Sequence, residues 1–177
     1  MKYTWQRVGV FVDVQNLYYS AKNLYNSYVN FAQILKQALG PRQLIRANAY
    51  VVRAEDPDQE KFFEALRFAG FDVRSKDLQI FPGGIKKGDW DVGLAVDMIK
   101  NASKLDVIVL VSGDGDFKEL IEYLKGQGVR VEVMAFGKSA SAKIKEATDE
   151  FIDLDLESSK FLLKQVRRSK SHLALKS

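Results

Sequence analysis

Apolar positions along the chain follow two alternating rhythms. Short continuous apolar runs give way to stretches where apolar residues recur every three or four positions. The clearest run is Val107-Ile108-Val109-Leu110-Val111, mostly β-branched, which reads as a strand buried on both faces. It runs straight into Ser112-Gly113-Asp114-Gly115-Asp116, where the glycines turn the chain. Helical spacing resumes at Phe117, Leu120, Ile121 and Leu124, with Gly126 as its stop.

The same alternation extends over the rest of the chain. Residues 7–14 predict a first strand carrying Asp13 at its end, followed by a helix through Leu17, Tyr18 and Ala21. Phe31, Ile34, Leu35 and Ala38 predict a helix that Gly40-Pro41 ends, and residues 44–52 a second strand. Pro57 opens a helix bearing Phe62, Phe63, Leu66 and Phe68, ending near Gly70. Residues 71–81 read as extended, with a strand leading to an edge segment, and Pro82-Gly83-Gly84 as a loop. A helix then runs from Asp89-Trp90-Asp91 through Val92, Ala95, Val96 and Ile99. Beyond the organising strand and its helix come a strand at 129–135, a helix at 139–147, a short strand at 151–154 and a terminal helix at 158–166.

Strands alternating with helices predict an α/β fold: a three-layer, doubly wound, mainly parallel sheet with helices on both faces. Residues 1–155 read as one domain and 156–177 as a C-terminal helix and basic tail, with no internal repeat or linker.

This architecture changes the meaning of the acids. A common doubly wound order sets the first and fourth strands side by side, and ligands bind at the carboxyl ends of such strands. Asp13 and Asp114 then stand at adjacent strand ends, with Asp91 and Asp116 in the first turns of the neighbouring helices. The ordinary reading makes Asp114 a turn residue and Asp116 a helix cap. The functional one puts four carboxylates in one pocket, which needs a cation because like charges raise each other's pKa.

There is no cysteine, and the single histidine, His172, lies in the tail, so the donor set is all oxygen. Mg²⁺ or Mn²⁺ is expected rather than a Zn²⁺ site of the usual nitrogen and sulfur kind. Asp97 lies six residues beyond Asp91, about 9 Å along the helix and a third of a turn around it, and is a weaker ligand. It can instead orient a ligand or water, or pair with Lys87. Asp89 reads as a cap. Asn16 can hold a phosphate oxygen or a metal-bound water, or simply cap the first helix.

Composition narrows the setting. A chain of 177 residues with 46% hydrophobic and 28% charged residues is enough for one well-buried domain. No apolar run reaches the roughly 20 residues of a membrane helix. The opening, MKYTWQRVGVFVDV, is too short and polar before its first strand to read as a secretory signal, and the absence of cysteine fits the cytoplasm. The net charge of +4 hints mildly at nucleic acid. Lys160, Lys164, Arg167, Arg168, Lys170 and Lys176 concentrate positive charge near the end, as a solvated helix and frayed tail or as a phosphate-binding arm.

Three motifs carry a family resemblance: Phe11-Val12-Asp13-Val14-Gln15-Asn16, the stretch KGDWDVGLAVD from Lys87 to Asp97, and Ser112-Gly113-Asp114-Gly115-Asp116-Phe117. In their order and spacing the chain resembles the NYN domain family of PIN-like nucleases, in particular its LabA-like bacterial branch, from about Arg7 to Leu154. One departure is Asp89-Trp90, where the family usually has one or two small or apolar residues before the helix aspartate. The resemblance implies a metal-dependent ribonuclease fold. It implies that Asp13, Asp91, Asp114 and Asp116 hold the metal, that Asn16 and Ser112 line the pocket, and that Asp97 joins the acidic set. Some members of the family have no demonstrated activity.

The leading expectation is therefore hydrolysis of RNA phosphodiester bonds at an all-aspartate site. The alternative is a catalytically silent or regulatory RNA-binding module of the same fold. Lys86 and Lys87 can meet flanking phosphates, and Trp90 and Tyr19 can stack on unpaired bases or lie half-buried against helices. The aromatic-rich helix and the terminal helix offer a homodimer surface. A topoisomerase-primase-like site wants glutamate where Asp13 stands. An aspartyl phosphatase wants an acid where Gln15 stands, and a dinucleotide binder wants a GxGxxG that is missing.

Overall fold

The structure, a computed structural model, describes residues 1–164. Along the chain run β1 (Arg7–Asp13), α1 (Val14–Tyr25), α2 (Phe31–Leu39), β2 (Gln43–Arg53), α3 (Gln59–Phe68), β3 (Asp72–Asp77), β4 (Gln79–Ile80), β5 (Lys86–Lys87), α4 (Asp91–Ala102), β6 (Val107–Val111), α5 (Lys118–Gly126), β7 (Arg130–Ala135), α6 (Ala142–Ala147), β8 (Glu150–Asp153) and α7 (Ser158–Phe161). Short 3₁₀ turns occupy Gly115–Phe117 and Leu154–Glu157.

Six strands form one parallel sheet in the order β3-β2-β1-β6-β7-β8. The first strand lies mid-sheet and pairs with β2 on one side and β6 on the other, so the doubly wound expectation holds. The uninterrupted apolar run of β6 follows from burial on both faces. Val107, Val109 and Val111 pack with Leu17, Ile34 and Phe63 of α1, α2 and α3. Ile108 and Leu110 pack on the other face with Leu94 and Met98 of α4 and Ile121 and Leu124 of α5.

Several local expectations change. The pattern marks α4 correctly, but its buried stripe is Leu94, Met98 and Ala102, while Val92, Val96 and Ile99 face solvent. Phe68 is almost fully exposed at the end of α3. The extended stretch divides into edge strand β3 and the antiparallel hairpin β4–β5, whose loop includes Gly83 and Gly84 at positive φ. The terminal helix is only Ser158–Phe161, because Leu162 leaves it to bridge Val29. Among the described residues past 155, Phe161 is buried in the core beside α2. Arg167, Arg168, Lys170, Lys176 and His172, with the expected end of that helix, lie outside the described residues.

Candidate active site

The carboxyl ends of β1 and β6 are adjacent; β1 ends on Asp13, Asp114 follows the end of β6 by three residues, and each aspartate starts the next turn of helix. Asp13 is the N-cap of α1 and accepts from the Asn16 backbone N–H at 3.2 Å. Asp114 caps the Gly115–Phe117 turn, accepting from the Asp116 N–H at 2.9 Å. Capping and site membership are thus compatible: an ionised carboxylate has acceptor capacity to spare after one cap bond.

Ser112 ties the two strand ends together. Its hydroxyl donates to Asp13 Oδ2 at 3.1 Å and accepts from the Asp114 N–H at 3.2 Å. The side chain is fully buried, so the expected substrate contact at Ser112 gives way to a positioning role. Asn16 works from the other side, its Oδ1 accepting from the Gly113 N–H at 2.9 Å. What Asn16 has left for a ligand is its Nδ2 donor.

Gly113 and Gly115 are required by close approach rather than by unusual φ. A Cβ at Gly113 would sit 3.0 Å from Ala140 Cα, and one at Gly115 2.6 Å from Ser141 Oγ. The loop that starts α6 therefore buttresses the aspartate turn, with Ser141 N donating to Gly113 O at 2.9 Å.

Asp91 enters from α4, as its first residue. Its carboxyl is pushed up to about 6 by burial, and then by the negative charges of Asp13, Asp114, Asp89 and Asp116. Asp13 is also raised, chiefly by burial and further by Asp114 and Asp89, against the pull of its hydrogen bonds from Asn16 and Ser112. Asp89 was expected as a cap, but α4 is capped by Trp90 without a side-chain bond, and exposed Asp89 adds its charge to the acidic field instead. Among the described residues, no ion pair reaches Asp13, Asp91, Asp114 or Asp116.

Asp97 stands apart. Tyr50 donates to its Oδ2 at 2.7 Å and accepts from Asn48 Nδ2 at 3.0 Å. Burial first, and donation to Asp97 as well, push the Tyr50 phenol up. Asp97 thus fastens α4 to β2, and the suggested pair with Lys87 does not form. Trp90 helps: its Nε1 donates to Val51 O at 3.0 Å, and its ring covers Gly93 and meets Tyr50 edge-on. That half-buried wedge is the ordinary outcome for Trp90 rather than a base-stacking platform. Lys87 is exposed on β5, and its neighbour Lys86 lines the cavity beside the site.

An unpaired, all-oxygen acidic set has the donor chemistry of a hard-cation site. The side chains do not enclose one as they stand: among the described residues, no three acids or histidines are gathered for a metal ion.

Residues 7–156 match the NYN domain. The chain belongs to the NYN domain family. All three NYN motifs quoted above lie inside that match. The curated relative Low amplitude and bright protein LabA, from Synechococcus elongatus, is 27% identical over 170 residues, covering 88% of this chain and 87% of its own. A crystal structure of a protein of unknown function, VPA0982 from Vibrio parahaemolyticus, shares this NYN fold with a TM-score of 0.83. It is 34% identical, with 92% of this chain and 99% of that one covered.

Proposed function

We propose that this chain is a metal-dependent nuclease that hydrolyses RNA phosphodiester bonds at the Asp13–Asp91–Asp114–Asp116 site. One observation carries the reading: burial, and then the negative charges of carboxylates from β1 and the turn after β6, raises Asp91 of α4 to about 6, and no described basic side chain forms an ion pair with this set. A cluster maintained at that cost suits Mg²⁺ or Mn²⁺, and Asp13, Asp91, Asp114 and Asp116 would hold it. Once bound, such an ion supplies an acidified water and charge stabilisation at the phosphate.

The chain's own residues do the rest. Ser112 and Asn16 fix the two strand ends, and Asn16 Nδ2 serves a phosphate oxygen. Tyr50 and Asp97 set the height of Asp91 by anchoring α4. Lys87, exposed on the hairpin, meets flanking phosphate.

The deciding experiment is cleavage of single-stranded and structured RNAs in Mg²⁺, Mn²⁺ or EDTA, with Asp114→Asn beside the wild type. Metal-dependent cleavage lost in the variant supports the reading. Cleavage unchanged by the variant removes this site from the reaction. A second reading, a silent RNA-binding module, is favoured by the absence of three gathered ligands among the described residues. RNA binding without cleavage in both proteins would select it.

A further inference from the structure

Beside the carboxylates lies a cavity of about 780 Å³, within the usual range of small-ligand sites. Gln15, Tyr18 and Tyr19 line it from one face of α1, at spacings of three and four residues. Tyr28 completes an aromatic wall, and Val51 and Val52 of β2 contribute apolar surface. Val14 and Gln15 directly follow Asp13, and Gly88 directly precedes Asp89, so the cavity and the acidic cluster share a rim.

The tyrosines are not core residues. Tyr18, Tyr19 and Tyr28 are 38%, 54% and 55% exposed. Tyr18 and Tyr19 meet edge-to-face with centroids 5.4 Å apart, an arrangement that leaves a ring face open. Cations flank them: Lys86 on the hairpin wall, and Lys22 Nζ 5.6 Å from the Tyr28 ring centre. The lining also carries Asp56 and Asp58. Asp56 Oδ1 accepts from the Asp58 N–H at 2.9 Å, and Asp58 pairs with Lys61 at 3.1 Å.

We propose that this cavity is a base-stacking subsite. It takes an unpaired nucleobase of the strand whose phosphate lies over the carboxylates, stacked on the open face of one ring among Tyr18, Tyr19 and Tyr28, with the other rings meeting its edges. Gln15 faces the base edge, and Lys86 and Lys22 meet the adjoining phosphates. The orientation of the strand rests on the nuclease reading above; the stacking does not. A base held in a duplex cannot enter the cavity, so the subsite selects single strands.

The test is fluorescence anisotropy of a short labelled oligouridylate and of an RNA hairpin duplex, at fixed salt and in EDTA, so that binding is read apart from cleavage. The proteins are wild type, the double variant Tyr18→Leu/Tyr19→Leu, and the double variant Tyr18→Phe/Tyr19→Phe. Both positions are exposed, so the fold tolerates either change. Single-strand affinity should fall roughly tenfold or more in the leucine variant. It should be retained in the phenylalanine variant, with the duplex binding weakly throughout. Equal single-strand binding by wild type and leucine variant, or a duplex bound as tightly as the single strand, would overturn the subsite. Ring-dependent binding without any metal-dependent cleavage keeps the subsite and removes the nuclease reading. Cleavage with ring-independent binding does the reverse.

Discussion

Ser112 Oγ stands 3.1 Å from Asp13 Oδ2, a hydrogen bond between residues 99 positions apart that locks the ends of β1 and β6 together. The same hydroxyl also receives the Asp114 N–H. Ser112→Ala removes both bonds in a fully buried place, and a destabilisation of about 1–3 kcal/mol is expected by urea unfolding. Cleavage should fall further than stability predicts, because two carboxylates lose their register at once.

Asp91 makes stability depend on pH in a defined direction. Its folded value is raised to about 6 from an ordinary 3.8, so between those values the folded chain holds a proton that the unfolded chain has lost. Its stabilising contribution is complete below about pH 4 and is lost as pH rises through about 6. Allowing for solvent screening, ionised Asp91 costs about 1 kcal/mol. Asp91→Asn should therefore raise Tm at pH 8 by roughly 2–4 °C, leave it little changed at pH 4, and abolish cleavage. Thermal scans at the two pH values check this.

A divalent cation would offset the cost of keeping these carboxylates ionised. Mg²⁺ or Mn²⁺ should raise the Tm of the wild type at pH 8, with EDTA restoring the lower value. Asp91→Asn and Asp114→Asn should show a much smaller increase, which calorimetric titration at fixed ionic strength can read directly.

The aspartate turn has no room to thicken. Gly113→Ala places a Cβ 3.0 Å from Ala140 Cα, and the two loops must part. A cost of about 1–3 kcal/mol is expected, together with loss of metal response, since Asp114 moves with its loop. Thermal unfolding with and without metal separates the two effects.

Tyr50→Phe deletes the donor to Asp97 while keeping the ring against Trp90. A loss of about 1–2 kcal/mol is expected. RNA binding should persist while turnover falls, because α4 carries Asp91 and loses one of its two bonds to β2, keeping that of Trp90 to Val51. Steady-state kinetics split into KM and kcat distinguish this from general unfolding.

The positions of Asp13 and Asp114 were legible in the sequence because two uninterrupted apolar strands followed by acids leave few topologies to choose from. The order β2-β1-β6 is the one a common doubly wound arrangement suggests, although sequence order alone does not fix it. Side-chain direction was less legible. Trp90 reads as either a stacking platform or a half-buried ring until Gly93 and the Val51 carbonyl, 39 residues away, are placed beneath it. Lys86 and Lys87 differ only in facing, and a two-residue strand gives no period from which to choose. On α4, Val92, Val96 and Ile99 are as apolar as the true inner stripe of Leu94, Met98 and Ala102. Asp97 has helical spacing that fits several roles, and only Tyr50, on a different strand, fixes which one it plays.

The central place of β1 governs when the acidic cluster comes into being. The first strand made is paired on both sides, and its partner β6 is translated about a hundred residues later. Closing a loop of that length is slow, and it coincides with forming the sheet itself. Amide protons of residues 107–111 should therefore exchange only through global opening. A chain still on the ribosome with residues 1–88 made has Asp13 and Asn16 with β2 beside them, but lacks Asp91, Ser112, Asp114 and Asp116.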